Sequence, residues 1–94
     1  MSASPQGYSH DRFAVLSHHY QNGLEAAVKS HPDEYPWAGS SLTVDDVSRK
    51  MMAGVWNGGI KSVCVHDSRG FSAACRKLGI RCTYLALGAF LRGN

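Results

Sequence analysis

Apolar residues recur at steps of three and four over the first third of the chain. Phe13, Leu16, Tyr20, Leu24 and Ala27 make one such row, which predicts one face of a helix over about 20 residues. Ser9 stands before the row as an N-cap. Asp11 falls in the first turn, where the helix dipole favours an anion. Gly23 costs that helix about 1 kcal/mol relative to alanine. Pro32 ends it, because the residue before a proline is pushed out of helical space. A second row, Val44, Val47, Met51 and Val55, follows Thr43 and Asp46, a short variant of the capping box. Trp56 lies beside this row, Arg49 and Lys50 lie off it, and Asn57-Gly58-Gly59 stops it. A third row, Phe71, Ala74, Cys75 and Leu78, starts after Ser68 and closes at Gly79. Thr83 caps a last helix with Tyr84, Leu87 and Leu91 on one side and Phe90 adjoining.

The stretches between these rows are less regular. Residues 1–8 are small and polar, with Pro5 and Gly7, and are expected to be a flexible N-terminal tail. Residues 9–94 are expected to form a single small domain. Residues 31–42 read as a linker without regular structure, punctuated by Pro32, Pro36 and Gly39. Tyr35 and Trp37 within it either fold back to cap the core or stand as exposed anchors for a protein partner. Val63-Cys64-Val65 is β-branched and apolar, so residues 61–66 fit a short strand or a buried helical turn. Residues 80–87 carry the same ambiguity. Two parallel strands alone would leave edges in need of partners, so helices are the preferred reading. The fold class is therefore mainly α, a compact small helical domain with a short β-strand near residues 61–66 as the competing expectation.

With 94 residues the chain allows one domain. A chain of this size buries only about 60–65% of its unfolded surface. Its core is thin, and homo-oligomerisation is one way to bury more. Hydrophobic residues at 44% and charged residues at 18% argue against a disordered chain. No apolar run approaches the roughly 20 residues that span a bilayer, so no membrane partner is expected. The first 30 residues hold no unbroken apolar stretch of the kind a secretory signal needs. The three cysteines, Cys64, Cys75 and Cys82, are odd in number and irregularly spaced, which suits reduced thiols in a cytoplasm. Cys75 is expected to pack in the core.

Charge is unevenly placed. Residues 1–46 carry two basic side chains against six acidic ones, and residues 47–94 carry eight against Asp67 alone. Such asymmetry often marks a surface for phosphate or an acidic partner, unless the halves attract each other or simply solvate separate faces.

The sharpest local pattern is Phe71-Ser-Ala-Ala-Cys-Arg-Lys-Leu-Gly-Ile-Arg-Cys-Thr-Tyr-Leu-Ala-Leu. Within residues 68–92 it resembles the helix-turn-helix of DNA-binding proteins. That family places a small residue four before a turn glycine, an apolar residue after the glycine, and another about six beyond it. Cys75, Gly79, Ile80 and Leu85 hold those places here. The resemblance implies a helix-turn-helix-like C-terminal corner, two helices crossing closely at the small residue. The chain departs from the family in its second helix. Residues 83–91 offer mainly Tyr84 where base-reading Arg, Asn or Gln would stand. Arg81 and Arg92 flank that helix and suit phosphate contacts, which position a protein without specifying sequence.

Catalytic patterns are missing. The chain has no Gly-x-Ser-x-Gly, no His-Glu-x-x-His and no phosphate-binding Gly-x-x-x-x-Gly-Lys. Cys64 and His66 would share a face of a strand, but no third, orienting group accompanies them. Cys64, His66, Cys75 and Cys82 lack the paired spacings of a structural zinc site. His18 and His19 point about 100° apart on a helix and do not share a metal easily. The expectation is no enzyme, no cofactor and no metal.

A binding protein remains. Arg49, Lys50, Arg69, Arg76, Lys77, Arg81, Tyr84 and Arg92 are the candidate contacts to nucleic acid, a nucleoprotein complex or an acidic partner. Tyr35, Trp37 and Trp56 are the candidate protein-interface residues. The alternative is a small inhibitor or adapter of the phage or mobile-element type, anti-CRISPR-like, that docks on a protein machine.

Overall fold

A computed structural model describes residues 5–66 and 68–93, with the side chains of all of these except 65 and 66. Ser9 caps the first helix, α1 (His10–Ser30), its hydroxyl accepting from the Arg12 N–H at 3.3 Å. Pro32 ends the helix as expected. The linker then departs from the expectation of no regular structure. It forms two 3-10 turns, Pro32–Glu34 and Pro36–Gly39. Each begins at a proline, whose fixed φ suits a first helical position.

α2 (Val44–Trp56) opens with a complete capping box. The Thr43 hydroxyl accepts from the Asp46 N–H at 3.1 Å, and the Asp46 carboxylate accepts from the Thr43 N–H at 3.1 Å. It closes at Gly58, whose φ of +95° continues into a reversed turn, and the Gly59 N–H donates to the Gly54 carbonyl at 2.7 Å. α3 (Ile60–His66) is a helix, so the strand near residues 61–66 does not form. The burial pattern gives the reason. Ile60 and Val63 are buried while Lys61 and Ser62 are exposed, a three-residue step that a strand would split between two faces. α4 (Ser68–Leu78) ends in a similar motif to α2. The Gly79 N–H reaches the Arg76 carbonyl and the Ile80 N–H reaches the Cys75 carbonyl, with φ of +68° at Gly79. Thr83 caps α5 (Tyr84–Leu91), so residues 84–87 are helical too.

α1 is the spine. It packs most extensively on α4, then on α2 and α5, while α3 bridges α2, α4 and α5. Leu16, Tyr20 and Leu24 of α1 meet Phe71, Ala74 and Cys75 of α4 and Leu87 and Leu91 of α5 in one core. Tyr20 and Phe71 stack at 4.4 Å. The radius of gyration, 12.8 Å, matches the ~13 Å of a compact domain this size.

Two corrections concern packing. The apolar row of α2 is turned from its predicted setting. Ser48, Met52 and Val55 are buried, whereas Val44, Val47 and Met51 are half-buried. A small serine faces α1 because helices cross more closely where a side chain is short. The tail also ends sooner than residue 8. Tyr8 is 6% exposed within the core, and the Ser9 N–H donates to the Leu91 carbonyl at 2.7 Å. The chain entering α1 is thus tied to the end of α5. Residues 1–4 of the expected tail lie outside the described residues. Tyr35 and Trp37 fold back against the core, edge to face at 6.0 Å. Trp56 likewise packs on Phe13 at 4.7 Å.

Candidate nucleic-acid interface

α1 and α4 approach closely because their facing residues are small. A Cβ placed on Gly23 would sit 2.8 Å from the Ala73 Cβ and 2.8 Å from the Gly70 carbonyl oxygen. This crossing fixes the flank that α4 shares with α1. Arg76 and Lys77, in the last turn of α4, line a concavity of about 550 Å³ with His19 and Asn22 of α1. Arg76 also lines a neighbouring hollow of about 380 Å³ with Arg69, Ser72 and His31. The two hollows form one shallow trough along the helix crossing. Arg81 follows on the exposed connection to α5.

The cations differ in what neutralises them. Arg69 donates to a Glu34 carboxylate oxygen at 2.7 Å and to His31 Nε2 at 2.9 Å. His31 Nδ1 lies 3.4 Å from the same carboxylate. A neutral ring with its proton on Nδ1 satisfies both contacts. Here the acidic and basic halves of the chain do attract each other, and Arg69 clamps the first 3-10 turn to α4. Arg49 pairs with Asp45 at 3.0 Å, one turn away on α2. Arg76, Lys77 and Arg81 have no acidic partner among the described residues. Asp67 lies outside those residues.

The eight predicted contacts do not share one surface. Arg49 lines a groove of about 670 Å³ between α1 and α2, with His10, Phe13, Ser17 and Trp56. These α1 residues lie on the side of the helix opposite His19, Asn22 and Gly23, as the 100° step per residue requires. Lys50 is exposed on the same α2 helix. Tyr84 is 44% exposed, and the Lys61 ammonium sits 5.4 Å from its ring centre. Arg92 caps α5 and its guanidinium folds back over Gly88. The structure therefore gathers Arg69, Arg76 and Lys77 on one trough with Arg81 beyond it, and sets Arg49 on the far flank. His19 and Asn22 were missed by the sequence reading. Their only signal is a position on α1 outside its apolar row, which gives no neighbour.

Along the Cys75–Leu85 stretch, Cys75 is buried, Gly79 is left-handed at a φ of +68° and Ile80 is half-buried. Leu85 is 69% exposed, and α5 packs most on α3 and α1.

Burial, with contact to Cys82, pushes the Cys75 thiol up to about 12. Burial also pushes Cys64 up to about 11. Both are protonated at neutral pH and suited to packing. The His66 side chain of the Cys64–His66 pair lies outside the described residues. Among the described residues no three ligand side chains converge on a point where a metal ion would fit, and no helix is long and apolar enough to cross a membrane. No protein-family model matches the chain, and no curated protein or solved structure is similar to it.

Proposed function

We propose that the protein is a non-catalytic binding protein whose cationic end of α4 contacts the phosphate backbone of nucleic acid, alone or within a nucleoprotein complex. The observation that carries this reading is the grouping of Arg76, Lys77 and Arg81, exposed and without an acidic partner among the described residues. Cations so placed attract phosphates through counterion release. His19 and Asn22 across the trough add hydrogen-bonding groups. A backbone reader of this kind needs no base-reading helix, which fits the apolar character of α5.

The test is fluorescence anisotropy with labelled duplex and single-stranded nucleic acid at two salt concentrations. The native chain is expected to bind, and more weakly at the higher salt. Replacing Arg76, Lys77 and Arg81 together with glutamine is expected to abolish that binding, or to flatten its logarithmic salt slope by about 3. No binding at low salt, or an unchanged triple variant, overturns the proposal.

One observation favours a second reading, a small inhibitor or adapter docked on a protein. Tyr84 and Leu85 are adjacent, large and 44% and 69% exposed. On that reading alanine at both positions weakens capture of the protein partner and leaves nucleic-acid titrations flat throughout.

A further inference from the structure

The three cysteines come from three elements, and two of them meet the same face of α4. Cys64 lies in α3, Cys75 in α4 and Cys82 in the connection to α5. Ser72 and Cys75 are three apart on α4 and share a face. The Ser72 hydroxyl donates to Cys82 Sγ at 3.9 Å, which sets Cys82 over that face. Cys75, 2% exposed, stands one turn along that same face, and the nearness of Cys82 adds to burial in pushing its thiol up. Cys82 itself is exposed, whereas Cys64 is half-buried.

We propose that Cys82 and Cys75 form a thiol modification site for low-molecular-weight disulfides, with Cys82 as the attacking thiol and Cys75 as the resolving one. The Cys82 thiolate attacks one sulfur of the reagent disulfide. A mixed disulfide forms, and one reagent thiolate leaves and takes up a proton. Cys75 then gives its proton to solvent and attacks the Cys82 sulfur, expelling the second reagent thiolate. Two protein thiols are oxidised to one disulfide, and one reagent disulfide is reduced to two thiols. The exposure of Cys82 lets the first step proceed from solvent. The burial of Cys75 protects it from direct attack and makes closure the slow step. Closure should quicken as pH rises, because burial holds the Cys75 thiol above the ordinary range and its thiolate fraction grows with pH. The bond would pin the α4–α5 connection, and Arg81 with it, against the last turn of α4.

The test uses the full chain treated with oxidised glutathione, alkylated, and digested with trypsin without reduction. Arg69 separates Cys64 from Cys75, and Arg76, Lys77 and Arg81 separate Cys75 from Cys82, so each cysteine falls in its own peptide. The expected product is a Cys75 peptide linked to the Cys82 peptide, in the native chain and in Cys64→Ser alike. Cys82→Ser should leave Cys75 unmodified. A glutathione adduct that persists on Cys82 without closure overturns the proposal, as does a link that runs through Cys64. The native chain alone decides the pairing, so no substitution in the core is needed.

Discussion

Alanine at position 23 should destabilise this protein, although it favours a helix. Gly23 lies inside α1, where the substitution gains about 1 kcal/mol in intrinsic helix propensity. The new methyl would stand 2.8 Å from both the Ala73 Cβ and the Gly70 carbonyl oxygen. Carbon contacts settle near 3.5–4.0 Å, so the two helices must separate by about 0.7–1.2 Å. One obstacle is backbone and the other is a methyl with no rotamer to change, so neither yields cheaply. Overpacking costs about 1–3 kcal/mol, and two rigid obstacles put this case in the upper part of that range, about 2–3 kcal/mol. The gain offsets part of the loss, and the net effect expected is a destabilisation of about 1–2 kcal/mol. In a chain of this length that lowers Tm by about 5–15 °C. Urea and thermal unfolding followed by circular dichroism would measure it. Gly54→Ala is the control, because its methyl meets only Val63 Cγ2, at 3.4 Å. That variant should match or exceed the native stability. A Gly23→Ala protein as stable as the native one would refute the close crossing of α1 and α4, and with it the trough that holds Arg76 and Lys77.

Other outcomes follow from the same contacts. Tyr8→Ala should cost about 3 kcal/mol in urea unfolding, since it empties a core position, whereas a residue of a loose tail would cost nothing measurable. Thr43→Ala should cost about 1 kcal/mol by removing the hydroxyl half of the capping box. The Thr43 backbone and side chain hold the Asp46 carboxyl below its ordinary 3.8. Its contribution is thus complete above that value and disappears as pH falls through the lowered one, so Asp46→Asn should flatten the acid limb of a stability–pH curve. Arg69→Ala should cost only about 0.5 kcal/mol, because its ion pair with Glu34 is solvent-exposed. Proteolysis would then detect a loosened 31–39 segment before unfolding curves move.

Local hydrogen bonds made the helix limits legible from residue order. Ser9, Thr43 with Asp46, Thr83 and the left-handed Gly58 and Gly79 all act within a few residues of themselves. The period of the apolar rows likewise picked out Leu16, Tyr20, Leu24, Phe71, Ala74, Cys75, Leu87 and Leu91 as inward. Over the seven residues of α3 the period was too short to separate helix from strand, and burial at a three-residue step resolved it. Periodicity fixes an angle about one helix axis and says nothing of which helix stands there. Tertiary packing therefore decided that Gly23 is a contact rather than a weakness, that Ser48 faces inward, and that Tyr8 belongs to the core. It also decided the charge pattern. The basic half of the chain is continuous in order, yet Arg49 and the Arg69–Lys77 group stand on opposite flanks of α1, with Arg49 and Arg69 paired to carboxylates and Arg76, Lys77 and Arg81 without one among the described residues. Ser72 and Cys82 are ten residues apart in the chain and meet only because the turn at Gly79 brings the connection back over α4.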